Sequence, residues 1–123
     1  MLKDRTNEYY TGLLHYLQET DDAKLTGGQK YNDTPPSFPW MYFTQISGAG
    51  RLHTLSNTEE GMYVCYQVEL YNKTSINALR IMANNARVYM FSQGFRTETF
   101  RPMDNVADRK INRFVMTFIK LET

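Results

Sequence analysis

The sequence predicts an α+β fold of order α-β-β-α-β-β, in which a mainly antiparallel sheet of about four strands carries two helices on one face. Three observations lead there. Alternation at period two runs through Met62 to Tyr71 and again through Ile111 to Glu122. Between them lies a helical pattern punctuated at both ends, by Thr74-Ser75 and by Gly94. An amphipathic helix and one further strand precede this set, and hairpin-like connections on both sides of the second helix imply antiparallel pairing.

Leu2 to Thr20 places Tyr9, Leu13, Tyr16 and Leu17 at helical spacing, with Tyr10 and Leu14 widening the stripe. Gly12 lies inside this helix at about 1 kcal/mol relative to alanine, which is consistent with a close approach to the sheet. From Thr20 to Ser37 the pairs Asp21-Asp22, Gly27-Gly28, Asn32-Asp33 and Pro35-Pro36 disfavour regular structure, so a long surface loop is expected. Phe38 to Ile46 reads as a strand with Pro39 at its start, where a missing backbone donor does least harm, and with Trp40, Tyr42, Thr44 and Ile46 on one face.

Ser47 to Gly61 is too long for a tight hairpin turn, and its glycines at Gly48 and Gly50 are followed by Arg51, Leu52, His53, Leu55 and the pair Glu59-Glu60. Loops of this length in compact domains are usually either functional or disordered, and this segment is the best candidate for a contact arm. In the strand that follows, Met62, Val64, Tyr66, Val68 and Leu70 share the core face. Tyr63, Cys65, Gln67, Glu69 and Tyr71 share a mixed face expected to be wet or to meet a partner. The second helix, Ser75 to Gln93, turns Leu79, Met82, Ala83, Ala86 and Met90 inward, with Gly94 at its C-cap. Phe95 to Arg101 forms a short strand closed by Pro102. The last strand is apolar on both faces, which places it inside the sheet.

Length and charge bound the function. With 123 residues the chain is expected to be one domain, residues 1–123. Lys plus Arg is 14 and Asp plus Glu is 13, so a net charge of +1 gives no global drive toward nucleic acid or a membrane surface. A single cysteine, Cys65, excludes an internal disulfide and suits a reducing compartment. The first residues carry no apolar targeting core and no stretch approaches the roughly 18 apolar residues of a membrane span, so a soluble, untargeted chain is expected. Nine tyrosines, seven phenylalanines and seven methionines supply both core and adaptable contact surface.

Chemistry finds little footing. His15 falls in the first helix and His53 in the long loop, with no third partner at ligand or acid-base spacing. Cys65 lies within a strand without a neighbouring cation in sequence, which reads as a structural thiol. Gly48-Ala49-Gly50 matches no phosphate-binding fingerprint. Neither catalytic residues nor a metal or cofactor site is expected. The rival reading is a nucleic-acid-binding module, from Arg96, Arg101, Arg109, Lys110 and Arg113. Glu98, Asp104 and Asp108 interleave with these, and neither a GxxG clamp nor an aromatic RNA-binding strand motif is present.

Taken together, Phe38-Pro39 opening a strand, Val64-x-Tyr66-x-Val68-x-Leu70-Tyr71, the helix from Ser75, Gly94-Phe95, Pro102-Met103-Asp104 and Arg113-Phe114-x-Met116-x-Phe118 form a pattern over nearly the whole chain. It resembles the tail terminator (tail completion) proteins of long-tailed bacteriophages and phage-tail-like particles. The resemblance implies a small α/β subunit that closes into a ring, hexameric in this family, on the head-proximal end of the tail tube. That ring stops tube polymerisation and offers a docking surface to the head-tail connector or stopper, with DNA passing through its lumen without sequence-specific binding. The implied location is the tail or neck of a virion assembled in the bacterial cytoplasm, without membrane contact. A neighbouring neck protein, head closure or adaptor, is the alternative within the same class. The expected contacts to neighbouring subunits or the tube are Arg51, Leu52, His53 and Leu55 of the arm and Met103 of a later loop, because apolar residues in polar loops are costly to leave in water; the alternative is that Leu52, Leu55 and Met103 fold back onto their own domain.

Overall fold

The computed structural model describes residues 5–30, 34–46, 62–105 and 108–122. Among the described residues, two helices and five strands follow in the order α1 (Thr6–Thr20), β1 (Thr26–Gly28), β2 (Trp40–Gln45), β3 (Met62–Asn72), α2 (Ile76–Ser92), β4 (Arg96–Asp104) and β5 (Asn112–Glu122). The class is α+β, as the alternating and helical patterns imply. The sheet is larger and more mixed than expected: its order is β1-β2-β3-β5-β4, and β1 runs parallel to β2 while every other pair is antiparallel.

The extra strand lies in the segment expected to be loop. Thr26, Gly27 and Gly28 pair with Trp40, Met41 and Tyr42. Glycine ordinarily argues against a strand, but here it is what permits one. A Cβ on Gly27 would sit 2.6 Å from the Met41 carbonyl oxygen, and one on Gly28 would sit 3.1 Å from the Trp40 ring. The first helix begins at Thr6, where Arg5 before it leaves helical geometry at φ −110° and ψ 17°, and its first buried residue is Tyr9; the expected start at Leu2 lies outside the described residues.

The second helix has the ends its sequence announced. The Ser75 hydroxyl accepts from the backbone N–H of Asn77 at 3.1 Å and Ala78 at 3.3 Å, satisfying two of the helix's unpaired donors. At the other end Phe95 N–H donates to Met90 O and Gly94 N–H to Phe91 O, with Gly94 at φ +96°. This is a Schellman arrangement, and buried Phe95 supplies its hydrophobic contact. The fourth strand continues through Pro102 to Asp104 instead of stopping at it, because β4 is an edge strand, where a residue without a donor is tolerated. As expected, β5 is interior, flanked by β3 and β4.

One sheet face and both helices enclose the main core. Met41 and Phe43 of β2, Tyr66, Val68 and Leu70 of β3, and Phe114, Met116 and Phe118 of β5 pack with Tyr9, Leu13 and Leu17 of α1 and the inward side of α2. Tyr66 lies at the centre of an aromatic set, with ring centroids 5.0 Å from Phe43, 5.6 Å from Phe95 and 5.8 Å from Tyr9. Gly12 does permit a close approach, but to α2 and not to the sheet: a Cβ there would fall on Tyr89 Oη. Tyr16 and Tyr89 stack beside it at 5.1 Å.

The opposite face of β3, expected to be wet or to meet a partner, is drier than a wet surface, with only Tyr63 and Gln67 partly exposed. Cys65, Glu69 and Tyr71 are buried, and Tyr71 joins Tyr42 and Ile111, with Phe38 and Trp40 against them, in a second apolar cluster. Strand alternation assigned these residues to their face correctly but could not say whether that face meets water.

Candidate interaction surfaces

Three features outside the main core are candidates for function. The first is a buried charge. Glu69 is 1% exposed, and its Oε1 accepts from Arg113 Nε and, at 2.9 Å, from the Tyr71 hydroxyl, while its Oε2 accepts from Gln67 Nε2 at 2.6 Å. The register explains the meeting: Glu69 and Tyr71 alternate onto one face of β3, and Tyr71 stands opposite Arg113 of β5. Taking a carboxylate out of water is costly unless it is paired and fully hydrogen-bonded, and three donors meet that condition here.

The second feature is the outer side of α2. Ile81 is 61% exposed and Phe91 75%, and Val88 lies exposed between them, so three large apolar side chains line a helix whose inward side is already occupied by the core. The same helix holds Arg80 and Arg87 and no carboxylate. Arg87 donates to Asn84 Oδ1 at 2.7 Å and covers the Phe100 ring at 5.6 Å. Sequence reading followed the inward stripe of α2 and missed this outer one, although the spacing of Ile81, Val88 and Phe91 was readable.

The third is an open groove at the end of the sheet where β4 and β5 carry Asp104 and Asn112. It is lined by Arg101, Met103, Asp104, Arg109, Ile111 and Arg113 among others. Met103, expected in a loop, is a strand residue opposite Arg113, and it is 38% exposed. Arg101 and Arg109 are exposed and form no ion pair among the described residues, whereas Arg113 is committed to Glu69 and Arg96 lies 4.0 Å from Glu98. The other expected contacts, Arg51, Leu52, His53 and Leu55, lie outside the described residues.

A smaller cavity near the start of α2 is lined by Phe38, Pro39, Lys73, Ile81 and Met82 together with Asp21 and Asp22. Its charges are engaged. Asp21 accepts twice from Asn85 Nδ2 at 2.8 and 3.0 Å, Asp22 accepts from the Lys24 backbone N–H, and Lys73 lies over the Phe38 ring at 4.9 Å. Nearby in the sheet, the Trp40 indole N–H is shielded from solvent and has no hydrogen-bond partner among the described residues. His15 is exposed on α1, and no group of three His, Cys, Asp or Glu among the described residues is placed to hold a metal ion. No described helix is long and apolar enough to cross a membrane.

Burial raises the phenol pKa of Tyr10 and of Tyr89, the latter with a further upward push from the negative charge of Glu8. Both belong to the packing of α1 and involve no candidate surface. Compared with known proteins, the chain matches no family model and no curated sequence.

Proposed function

We propose that this protein is a ring-forming structural subunit that caps the head-proximal end of a phage-type tail tube and presents a docking surface to the head or its connector. The observation that carries this reading is the apolar strip Ile81-Val88-Phe91 on the outer side of a helix whose other side is already filled. Exposed apolar area of that kind on a small domain is characteristic of a protein contact. The β4 edge of the sheet supports the same division of labour. β4 carries a bulge between Thr97 and Thr99, Pro102 within the strand, and charges at Arg96, Glu98, Arg101 and Asp104, all of which discourage pairing with another strand. At this edge, association through side-chain surfaces is favoured over extension of the sheet.

The pattern shared with tail terminators supplies the architecture of that association, a head-to-tail contact repeated by rotation until it closes. The nucleic-acid alternative draws less from the structure, since Arg96 and Arg113 of the basic set already face carboxylates. The test is the mass of the protein in solution, alone and with a tail-tube protein. A ring of subunits, alone or with the tube, is the expected result, and Phe91→Asp with Ile81→Asp should abolish it while leaving the fold intact. A monomer indifferent to the tube, or a ring unaffected by those substitutions, would refute the reading or its interface respectively.

A further inference from the structure

The cavity near the start of α2 and the most exposed apolar side chain of the same helix are complementary in size and charge. The cavity has a volume of about 330 Å³ and is walled by Phe38, Pro39, Ala78, Ile81 and Met82. An apolar cavity of about 150 Å³ is enough to take a benzene molecule, so this one has room for a benzyl side chain. Phe91, in the last turn of α2, is 75% exposed, more than any other large apolar residue among those described.

The charges beside the two are opposite in sign. Asp21 and Asp22 also line the cavity, and their hydrogen-bond donors, the Asn85 amide and the Lys24 backbone N–H, are neutral, so both carboxylates keep their charge. The remaining charge of the lining, Lys73, lies over the Phe38 ring. Arg87 precedes Phe91 by four residues, which makes the two side chains neighbours on the helix surface. Its own contacts, Asn84 Oδ1 and the Phe100 ring, are likewise uncharged. None of Asp21, Asp22 and Arg87 has an ion pair among the described residues.

Phe91 has no access to the cavity of its own subunit. Ten residues separate it from Ile81 on one continuous helix, about 15 Å along the axis. At about 100° per residue, it also points roughly 130° away from the mean direction of Ala78, Ile81 and Met82, the α2 residues that line the cavity.

We infer that the cavity receives Phe91 of a second copy of this chain, with Arg87 of that copy set against Asp21 and Asp22. This deepens, and rests on, the reading of the protein as a ring subunit. The divergence of the two directions also sets the symmetry. A two-fold pair in which each copy both gives and receives needs ring and cavity on one side of the helix, whereas here they face different sides. One molecule therefore gives to one neighbour and receives from another, a heterologous contact that closes into a ring when the rotation returns to its start. A few well-packed, desolvated anchors of this kind carry most of the affinity of a protein interface.

Two variants separate the halves of the contact. Phe91→Gln removes the inserted ring and keeps the cavity, while Ala78→Phe fills the cavity and keeps the ring. Both positions are exposed on α2, and thermal midpoints close to the wild-type value would show the fold intact. Each variant alone should fail to assemble, and an equimolar mixture should form a pair that grows no further. Light scattering up to about 1 mM, with the tail-tube protein added where the wild type needs it, reads the result. A charge exchange tests the same contact without altering either half: Arg87→Glu should weaken association at least tenfold, with threefold or more returning when Asp22→Arg is added. A wild-type ring together with a mixture that stays monomeric, or a ring that persists with Ala78→Phe, overturns this contact and leaves the ring reading standing. Association indifferent to Arg87→Glu overturns the charge pairing. A mixed pair alongside wild-type chains that grow open without closing refutes the ring and keeps the contact, and a wild type and mixture that both stay monomeric with the tube overturn both.

Discussion

Replacing Glu69 by leucine isolates what a buried carboxylate contributes in this sheet. Glu69 is 1% exposed and the Arg113 side chain 14%, so water screens the pair only slightly. Removing one partner of such a pair typically costs 3–5 kcal/mol, because the other charge keeps its desolvation penalty without its counter-ion. The Tyr71 hydroxyl and the Gln67 amide lose an acceptor at the same time. These losses share one site and do not add, so about 3–4 kcal/mol is expected for Glu69→Leu. Against a total stability of about 5–15 kcal/mol the variant would be marginal, with its thermal midpoint lowered by roughly 10–20 °C. Glu69→Leu combined with Arg113→Leu removes both charges and should recover about 2 kcal/mol or more relative to Glu69→Leu alone. The assay is urea unfolding of the four proteins of the cycle, with the slopes compared to confirm that the unfolding reaction itself is unchanged. A cost below about 1 kcal/mol for Glu69→Leu, or a double variant no better than the worse single one, would refute the claim that this pair is an interdependent buried unit.

Other consequences are narrower. Gly27→Ala should destabilise by about 1–3 kcal/mol, since the Met41 carbonyl that its Cβ would meet belongs to the backbone and cannot turn aside; chemical denaturation would show it, together with faster amide exchange in β1. Gly12→Ala gains about 1 kcal/mol of helix propensity but collides with Tyr89 Oη, so it should be stabilising only in a Tyr89→Phe background, as the thermal midpoints of the two pairs would reveal. Ser75→Ala removes the acceptor for Asn77 and Ala78 N–H and should cost about 1 kcal/mol by denaturant midpoint. The raised phenol pKa values of Tyr10 and Tyr89 mean that folding favours their neutral forms. Their contribution is complete below the ordinary tyrosine pKa near 10 and is lost as pH climbs through the higher folded values. Phenolate absorbance should therefore show tyrosines ionising later in the folded protein than after unfolding, and Tyr89→Phe should reduce the alkaline loss of stability.

The second helix was legible almost to the residue because its signals are local. Ser75 caps through its own hydroxyl, and Gly94 adopts a backbone angle that other residues resist. The inward face of β3 was legible for a similar reason, since side-chain direction in a strand alternates regardless of what it meets, whereas which face of β2 and of β5 meets the main core was not read from the sequence. The first strand was not. Glycine weakens a strand in isolation, and only the closeness of Met41 and Trp40 makes Gly27 and Gly28 the residues that fit. Met103 read as loop because Pro102 looked like a terminus, a rule that lapses at a sheet edge. Of the candidate contacts, Met103 alone falls within the described residues, and nothing in its own neighbourhood announced that Arg109 would share its groove.

The sequence by itself determined the α+β class, the two helices with their inward stripes, the four longer strands and the near-neutral charge, because each follows from periodicity, capping chemistry or composition within a few residues. Only the tertiary structure decided that a glycine pair forms a parallel fifth strand, that Glu69 is a buried ion and not a wet surface residue, and that Arg101, Met103 and Arg109 share one groove. Each of those depends on which strands become neighbours and in what register, and pairing over 40 or more residues of chain, as between Glu69 and Arg113, leaves no mark in the local pattern.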